Sequence, residues 1–293
     1  MPLDQPWEDD EHDNFTAGGK EMTFIDHLEE LRWHILRAVL AIAVFTIISL
    51  VFIQEIFDYV IMAPANPSFW TYRMLCKAAD FLNVPALCVQ KFDFILINTE
   101  VGGQFSLALT SALVIGLLFA FPYAFWELWR FIKPGLKKTE VDAASGAVFW
   151  VTLLFFTGVA FGYYIVTPLT INFLLNFRVS TITVIKDNIT IDSFISILVT
   201  LTLACGIVFE LPVAAFVLSK VGFLTPKFMS SYRRHAFVVI LIVAAVITPS
   251  ADPWTQIVVT IPLVFLYEIS IQGSAEGVIT AATIKMTTKA CRR

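Results

Sequence analysis

Six long apolar runs constrain this chain more than any other feature. A helix crossing roughly 30 Å of hydrocarbon needs about 20 consecutive apolar residues. The runs span about Ile35 to Phe57, Gln104 to Trp126, Ala143 to Thr167, Phe194 to Leu218, Ala236 to Thr248 and Trp254 to Ile271. Hydrophobic residues make up 57% of the 293 and charged residues only 15%. A soluble domain carries about 25% charged residues. Mean hydropathy is +0.76. These values exclude a cytosolic enzyme or a disordered chain. A net charge of -4 gives no basic field to attract nucleic acid. The expected fold is an all-α membrane protein with six transmembrane helices.

The last two spans are short. Ala236 to Thr248 has 13 residues, which reach only about 20 Å at 1.5 Å per residue. The turn Pro249-Ser250-Ala251-Asp252-Pro253 follows it. That turn is too short to hide polar backbone in lipid, so a crossing hairpin in a locally thinned bilayer is expected. With both termini in the cytosol, 15 of the 20 Lys and Arg fall inside and 5 outside. The excess of positive residues favours that orientation, N-in and C-in.

Residues 1–22 read as an acidic disordered cytosolic tail, 23–271 as the membrane domain and 272–293 as a polar cytosolic tail. No basic start and early apolar run mark a cleavable signal peptide. The outside loop from Asp58 to about Gly103 carries Cys76 and Cys88. Two readings stand for them: a disulfide on the oxidising face, or two buried free thiols.

Nucleotide, zinc-protease and hydrolase motifs are absent, and the four histidines lack metal spacing. No catalytic residue, metal or cofactor is therefore expected. Three segments remain informative. TFIDHLEELRWHILR, Thr23 to Arg37, carries Phe24, Leu28, Leu31 and Ile35 on one helical face, with Asp26, Glu29 and Glu30 off it. Its acids serve either as helix-start carboxylates favoured by the dipole or as a site for a cationic partner. FIKPGLKKTEVD, Phe131 to Asp142, places a Pro134-Gly135 turn before Glu140, which alone reads as a solvated loop charge. FELP puts Glu210 deep in the fourth span, where a charge costs about 2.5–3.5 kcal/mol. It is either a functional site or a structural hydrogen bond to another span. Pro122 and Pro212 should kink spans 2 and 4 and leave a concave face. Gly158 and Gly162 form a G-x-x-x-G packing face in span 3.

Taken together, these segments resemble the TatC family, the multi-span core of the twin-arginine protein translocase. The matching residues are HLEELR at His27 to Arg32, FIKPGL at Phe131 to Leu136 with Glu140 after it, FELP with Glu210, and the TPSADP turn that includes Asp252. Pro64 and Pro122 also fall where the family has prolines. The resemblance implies a receptor for the signal peptides of folded cargo, in the cytoplasmic (inner) membrane and driven by the proton-motive force. It implies that Glu30 and Glu140 hold the signal's arginine pair, with Leu28, Arg32, Phe131 and Pro134 as part of that site. It implies that Glu210 meets the single-span partners TatA and TatB, within a larger self-associated complex in the lipid. Fork-shaped guanidinium groups matched to carboxylates would discriminate Arg from Lys.

This sequence departs from the family in places. Val141 follows Glu140 where a basic residue is common, and Lys137 and Lys138 precede it. The outside loop is longer, and the turn lacks a second proline before Asp252. A second hypothesis is an ion-coupled solute transporter with Glu210 as proton carrier. It would require further ionisable or broken-helix sites at the midplane, which the sequence does not offer.

Overall fold

The computed structural model describes residues 24–82, 95–133, 146–177, 188–220, 226–248 and 253–290, with only the backbone beyond Gln272. The chain is built from helices because lipid offers no partner for backbone N–H and C=O groups. Helix α1 covers Phe24–Val51, followed by the short α2 at Ile53–Ile56 and a π-turn at Phe57–Ile61. A 3-10 turn at Ala63–Ala65 buries Pro64 and leads to α3, Trp70–Leu82. Strand β1 is Ile95–Ile97, and α4 is the long helix Gly103–Ile132. Helix α5, Ala147–Phe161, continues through a π-turn at Gly162–Val166 into α6, Thr167–Asn176. Strand β2, Asn188–Thr190, opens α7, Ile191–Val208, and α8 is Leu211–Lys220. The chain closes with α9, Pro226–Ser231, α10, Arg233–Ile247, and α11, Pro253–Ala290.

Five stretches among the described residues are long and apolar enough to span a membrane: Glu29–Val51, Gly103–Ile132, Val148–Asn176, Ile191–Ser219 and Thr255–Gln272. The sixth expected span, α10, has 15 residues and so reaches about 22 Å. Gln256 Nε2 donates to the Leu241 carbonyl at 3.2 Å, tying α10 to α11. The turn with Asp252 lies outside the described residues.

Several helices outrun the expected spans. Helix α4 extends six residues past Trp126, to Ile132, and passes through Pro122 without a break. The third span runs on to Asn176 instead of ending near Thr167. Helix α11 continues to Ala290, well past Ile271. Polarity ends a membrane span but not a helix, whose hydrogen bonds are internal. No proline interrupts the chain after Pro262.

The prolines leave visible consequences. Pro212 has no N–H, so the Val208 carbonyl loses its usual donor. The fourth span breaks there, at Phe209 and Glu210, between α7 and α8. Pro168 likewise withholds a donor from the Tyr164 carbonyl, and the Thr71 hydroxyl of α3 donates to that oxygen instead. Around this point α3 seals one end of the bundle. The buried Tyr72 hydroxyl donates to the Pro64 carbonyl at 3.1 Å, and Tyr163 donates to the Val60 carbonyl at 2.6 Å. Phe69 stacks on Tyr164 at 5.7 Å. Beside this seal, β1 and β2 pair in parallel, with Ile95 opposite Asn188 and Ile97 opposite Thr190. Thr190 then caps α7 by accepting from the Ser193 N–H. Cys76, on α3, is disulfide-bonded. Its partner lies outside the described residues, as does Cys88.

Small residues set the helix spacings. A Cβ on Gly116 of α4 would stand 2.6 Å from the Thr46 backbone nitrogen of α1. On α5, a Cβ at Gly158 would stand 2.7 Å from the Cys205 carbonyl, so the G-x-x-x-G face packs against α7. One core gathers Val166, Leu201, Cys205, Phe209, Ala244 and Val259; a second gathers Ile61, Leu107, Ile171, Phe194 and Leu198.

Gly116→Val should separate α1 from α4 and cost about 1–3 kcal/mol, as overpacking of a filled interface does. The thermal midpoint in detergent checks this, with Gly102→Ala as control because nothing lies within 4 Å of a Cβ there.

Candidate functional site

The polar groups concentrate where α1 begins and α4 ends. Glu30 and His34 are one turn apart on α1 and share a face, as do Glu127 and Phe131 on α4. Long antiparallel packing of α1 and α4 turns these two faces toward each other. His34 Nδ1 lies 2.5 Å from Glu127 Oε2, with His34 8% and Glu127 1% exposed. The His34 ring also meets the Phe131 ring, with centroids 6.2 Å apart.

Glu127 is fully engaged. Tyr123 donates to its Oε1 at 3.0 Å from one turn earlier. Arg130 Nη1 stands 3.7 Å away from the next turn, its guanidinium 4.7 Å above the Trp126 ring. A carboxylate only accepts hydrogen bonds, so His34 Nδ1 carries the shared proton and donates it. The outcome is a buried polar cluster with one carboxylate at its centre, satisfied on both oxygens.

Glu30 is different. It is partly buried, and its Oε2 is sealed from solvent with no hydrogen-bond partner. A buried polar atom without a partner costs about 1–3 kcal/mol, more when charged. Arg32 is exposed and Phe131 half-buried. Leu28 lies in α1, but its side chain is outside the described residues, as are Pro134 and Glu140 altogether. The meeting of Glu30 with Glu140 therefore falls outside the described residues.

A second polar position lies at the break of the fourth span. Glu210 sits between α7 and α8, beside the Phe155 backbone, and its Oε1 is buried without a partner. Its backbone remains engaged, the N–H with the Ile207 carbonyl at 3.1 Å and the carbonyl with Ala214 N–H at 2.9 Å. Nearby, Ser270 of α11 donates to the Pro212 carbonyl at 3.0 Å. No cluster of His, Cys, Asp and Glu among the described residues could hold a metal.

The His34–Glu127 pair is not legible in the residue order. The second apolar run ends at Trp126, which leaves Glu127 in a loop, and His34 is one of four scattered histidines. A usable signal is present nonetheless, since Glu127 is an acid beside an apolar helical run, with Tyr123 and Arg130 at i-4 and i+3. Its partner on α1 is 93 residues away and no periodicity points to it.

Fold and site together define a polytopic helical membrane protein with buried carboxylates at helix ends and breaks. The family model described as "Sec-independent protein translocase protein (TatC)" matches residues 26–262. The chain belongs to the TatC family, a family of protein-translocase components and not of enzymes. It is 37% identical over 253 residues to the Sec-independent protein translocase protein TatC of Blattabacterium sp. subsp. Periplaneta americana, covering 86% of this chain and 94% of that relative. The TatC protein of Carboxydothermus hydrogenoformans is 31% identical, covering 86% of this chain and 92% of its own length. The crystal structure of a twin arginine translocase receptor, TatC in DDM, superposes with a TM-score of 0.63 at 29% identity, covering 84% of this chain and 97% of that one.

The unpartnered Glu210 oxygen yields a stability prediction. Glu210→Leu removes a partly buried carboxylate with one oxygen unpartnered, and should leave stability unchanged or raise it by about 1–3 kcal/mol. The thermal midpoint of the purified protein in detergent measures it, and a large fall would mean that Glu210 holds the α7–α8 break together.

Proposed function

We propose that this chain is the twin-arginine signal-peptide receptor of its translocase, and that it serves export of folded proteins across the cytoplasmic membrane with both termini in the cytosol. The observation that carries this reading is the buried, unpartnered Glu30 oxygen at the start of α1, on the face turned toward the end of α4. HLEELR lies in the first of these helices and FIKPGL begins in the second. Membership of the TatC family supports the receptor role, as does the likeness to a crystallised twin arginine translocase receptor.

In this reading Glu30 and Glu140 accept the fork-shaped donors of the signal's arginine pair. Leu28, Arg32, Phe131 and Pro134 surround that pair, and a concave bundle face takes the apolar part of the signal. A guanidinium offers planar, bidentate donors that an ammonium cannot match, so arginine is preferred to lysine. The distribution of 15 cationic residues inside and 5 outside supports this orientation. Glu210 is the site for the single-span subunits TatA and TatB, whose polar group would supply the missing partner. The chain acts within a larger self-associated complex, and the proton-motive force supplies the driving energy.

Two tests follow. Glu30→Ala and Glu140→Ala should each weaken binding of a labelled twin-arginine signal peptide about tenfold or more, since hydrogen bonds to charged groups contribute about 1.5–3 kcal/mol. Replacing the peptide's arginines with lysines should weaken it similarly. Fluorescence anisotropy with the detergent-solubilised chain reads both, and unchanged affinity in both arms refutes the receptor role. Glu210→Leu should fold yet fail to co-purify with the single-span subunits; normal assembly would make the site purely structural.

A further inference from the structure

We infer that the buried His34–Glu127 pair is a positioning element that sets the register of α1 against α4 and so aims the unpartnered Glu30 oxygen at the signal's arginines. This inference rests on the receptor reading above and assigns a role to two residues outside the HLEELR and FIKPGL motifs.

The geometry separates positioning from direct binding. Both Glu127 oxygens are already committed, Oε2 to His34 and Oε1 to Tyr123. At 1% exposure the residue cannot meet an incoming guanidinium without giving up those partners. Glu30, one turn before His34 on the same face, keeps its Oε2 free of any partner. His34 also contacts Phe131, the first residue of the segment that leads to Glu140. One imidazole thus touches α4 at both ends of a single turn. A slip of one residue in α1 would rotate Glu30 by about 100° around the helix axis. It would also strip the buried Glu127 Oε2 of its His34 donor and leave that acceptor without a partner.

The pair is poorly suited to a purely stabilising task. Replacing a buried ionic or polar pair with apolar residues of similar size is often neutral or favourable for stability. Leucines would fill the seam just as well in lipid. They would not fix a single register, because apolar surfaces slide past one another without losing hydrogen bonds. The directional His34–Glu127 contact at 2.5 Å crosses from α1 to α4 and does fix it, while Tyr123 holds the Glu127 carboxylate from within α4 at 3.0 Å.

The experiment compares four variants of the full chain in detergent, using labelled peptides with an adjacent arginine pair or lysine pair ahead of an apolar stretch. Glu127→Ala should weaken twin-arginine binding about tenfold, the scale of losing one charge-assisted hydrogen bond from a misaimed Glu30. It should also shrink the arginine-to-lysine preference. Glu127→Gln keeps an oxygen to accept from His34 and should stay within about threefold of the unaltered protein, since one factor of ten is 1.4 kcal/mol. The double variant His34→Leu/Glu127→Leu should keep its thermal midpoint but lose peptide preference as Glu127→Ala does. Glu30→Ala reports on the receptor reading itself.

If Glu30→Ala weakens binding while the leucine pair binds with full affinity and preference, the positioning role is overturned and the receptor role stands. If Glu127→Gln is as damaging as Glu127→Ala, Glu127 is a direct ligand and the inference fails. If Glu30→Ala is silent, the receptor reading fails and this inference falls with it.

Discussion

Hydrocarbon contains no hydrogen-bond partner, and this constraint shapes the whole chain. A carbonyl that a proline strips of its donor is satisfied by another group, sits at a break, or is absorbed within the helix. Pro168 frees the Tyr164 carbonyl, and Thr71 of an outlying helix answers it. Pro212 frees the Val208 carbonyl, and the fourth span divides there. Pro122 is absorbed with no break in α4. These three prolines thus have three different outcomes.

The same medium removes the hydrophobic drive between helices, since lipid tails are as apolar as leucine. Association then depends on close approach and on polar contacts. Both appear along the α1–α4 seam, where Gly116 lets the Thr46 backbone come near and His34 meets Glu127 at the far end. Between α5 and α7 the approach is through Gly158, Gly162 and Gly206. The glycines bring helices near, and the buried polar pair selects one register among those that nearness allows.

Buried carboxylates then divide by their state of satisfaction. Glu127 has both oxygens engaged and belongs to the architecture. Glu30 and Glu210 each keep one buried oxygen without a partner, one near a helix start and one at a helix break. Unmet acceptors in a dry place are costly, which is why they favour an outside donor. In the function proposed above, a signal peptide and partner subunits are those donors. Engagement, more than burial, sets Glu127 apart from Glu30 and Glu210.

Much of this could be read from the residues in order. Runs such as Phe194 to Leu218 demand helices because their apolar length matches the bilayer, and a solvent that cannot pair with backbone leaves no other option. Glu210 is legible as an acid deep in an apolar run, and Glu30 through the HLEELR motif of the family the sequence resembles. Residue order could not reveal that α4 carries on to Ile132 or that Ile95–Ile97 pairs with Asn188–Thr190, because helix continuation and short strand pairing depend on neighbours distant in sequence. It could not join His34 to Glu127 either. A single acid and a single imidazole 93 residues apart have no period or spacing to connect them. Only the packing of two helices, brought close by a glycine, makes them one buried pair.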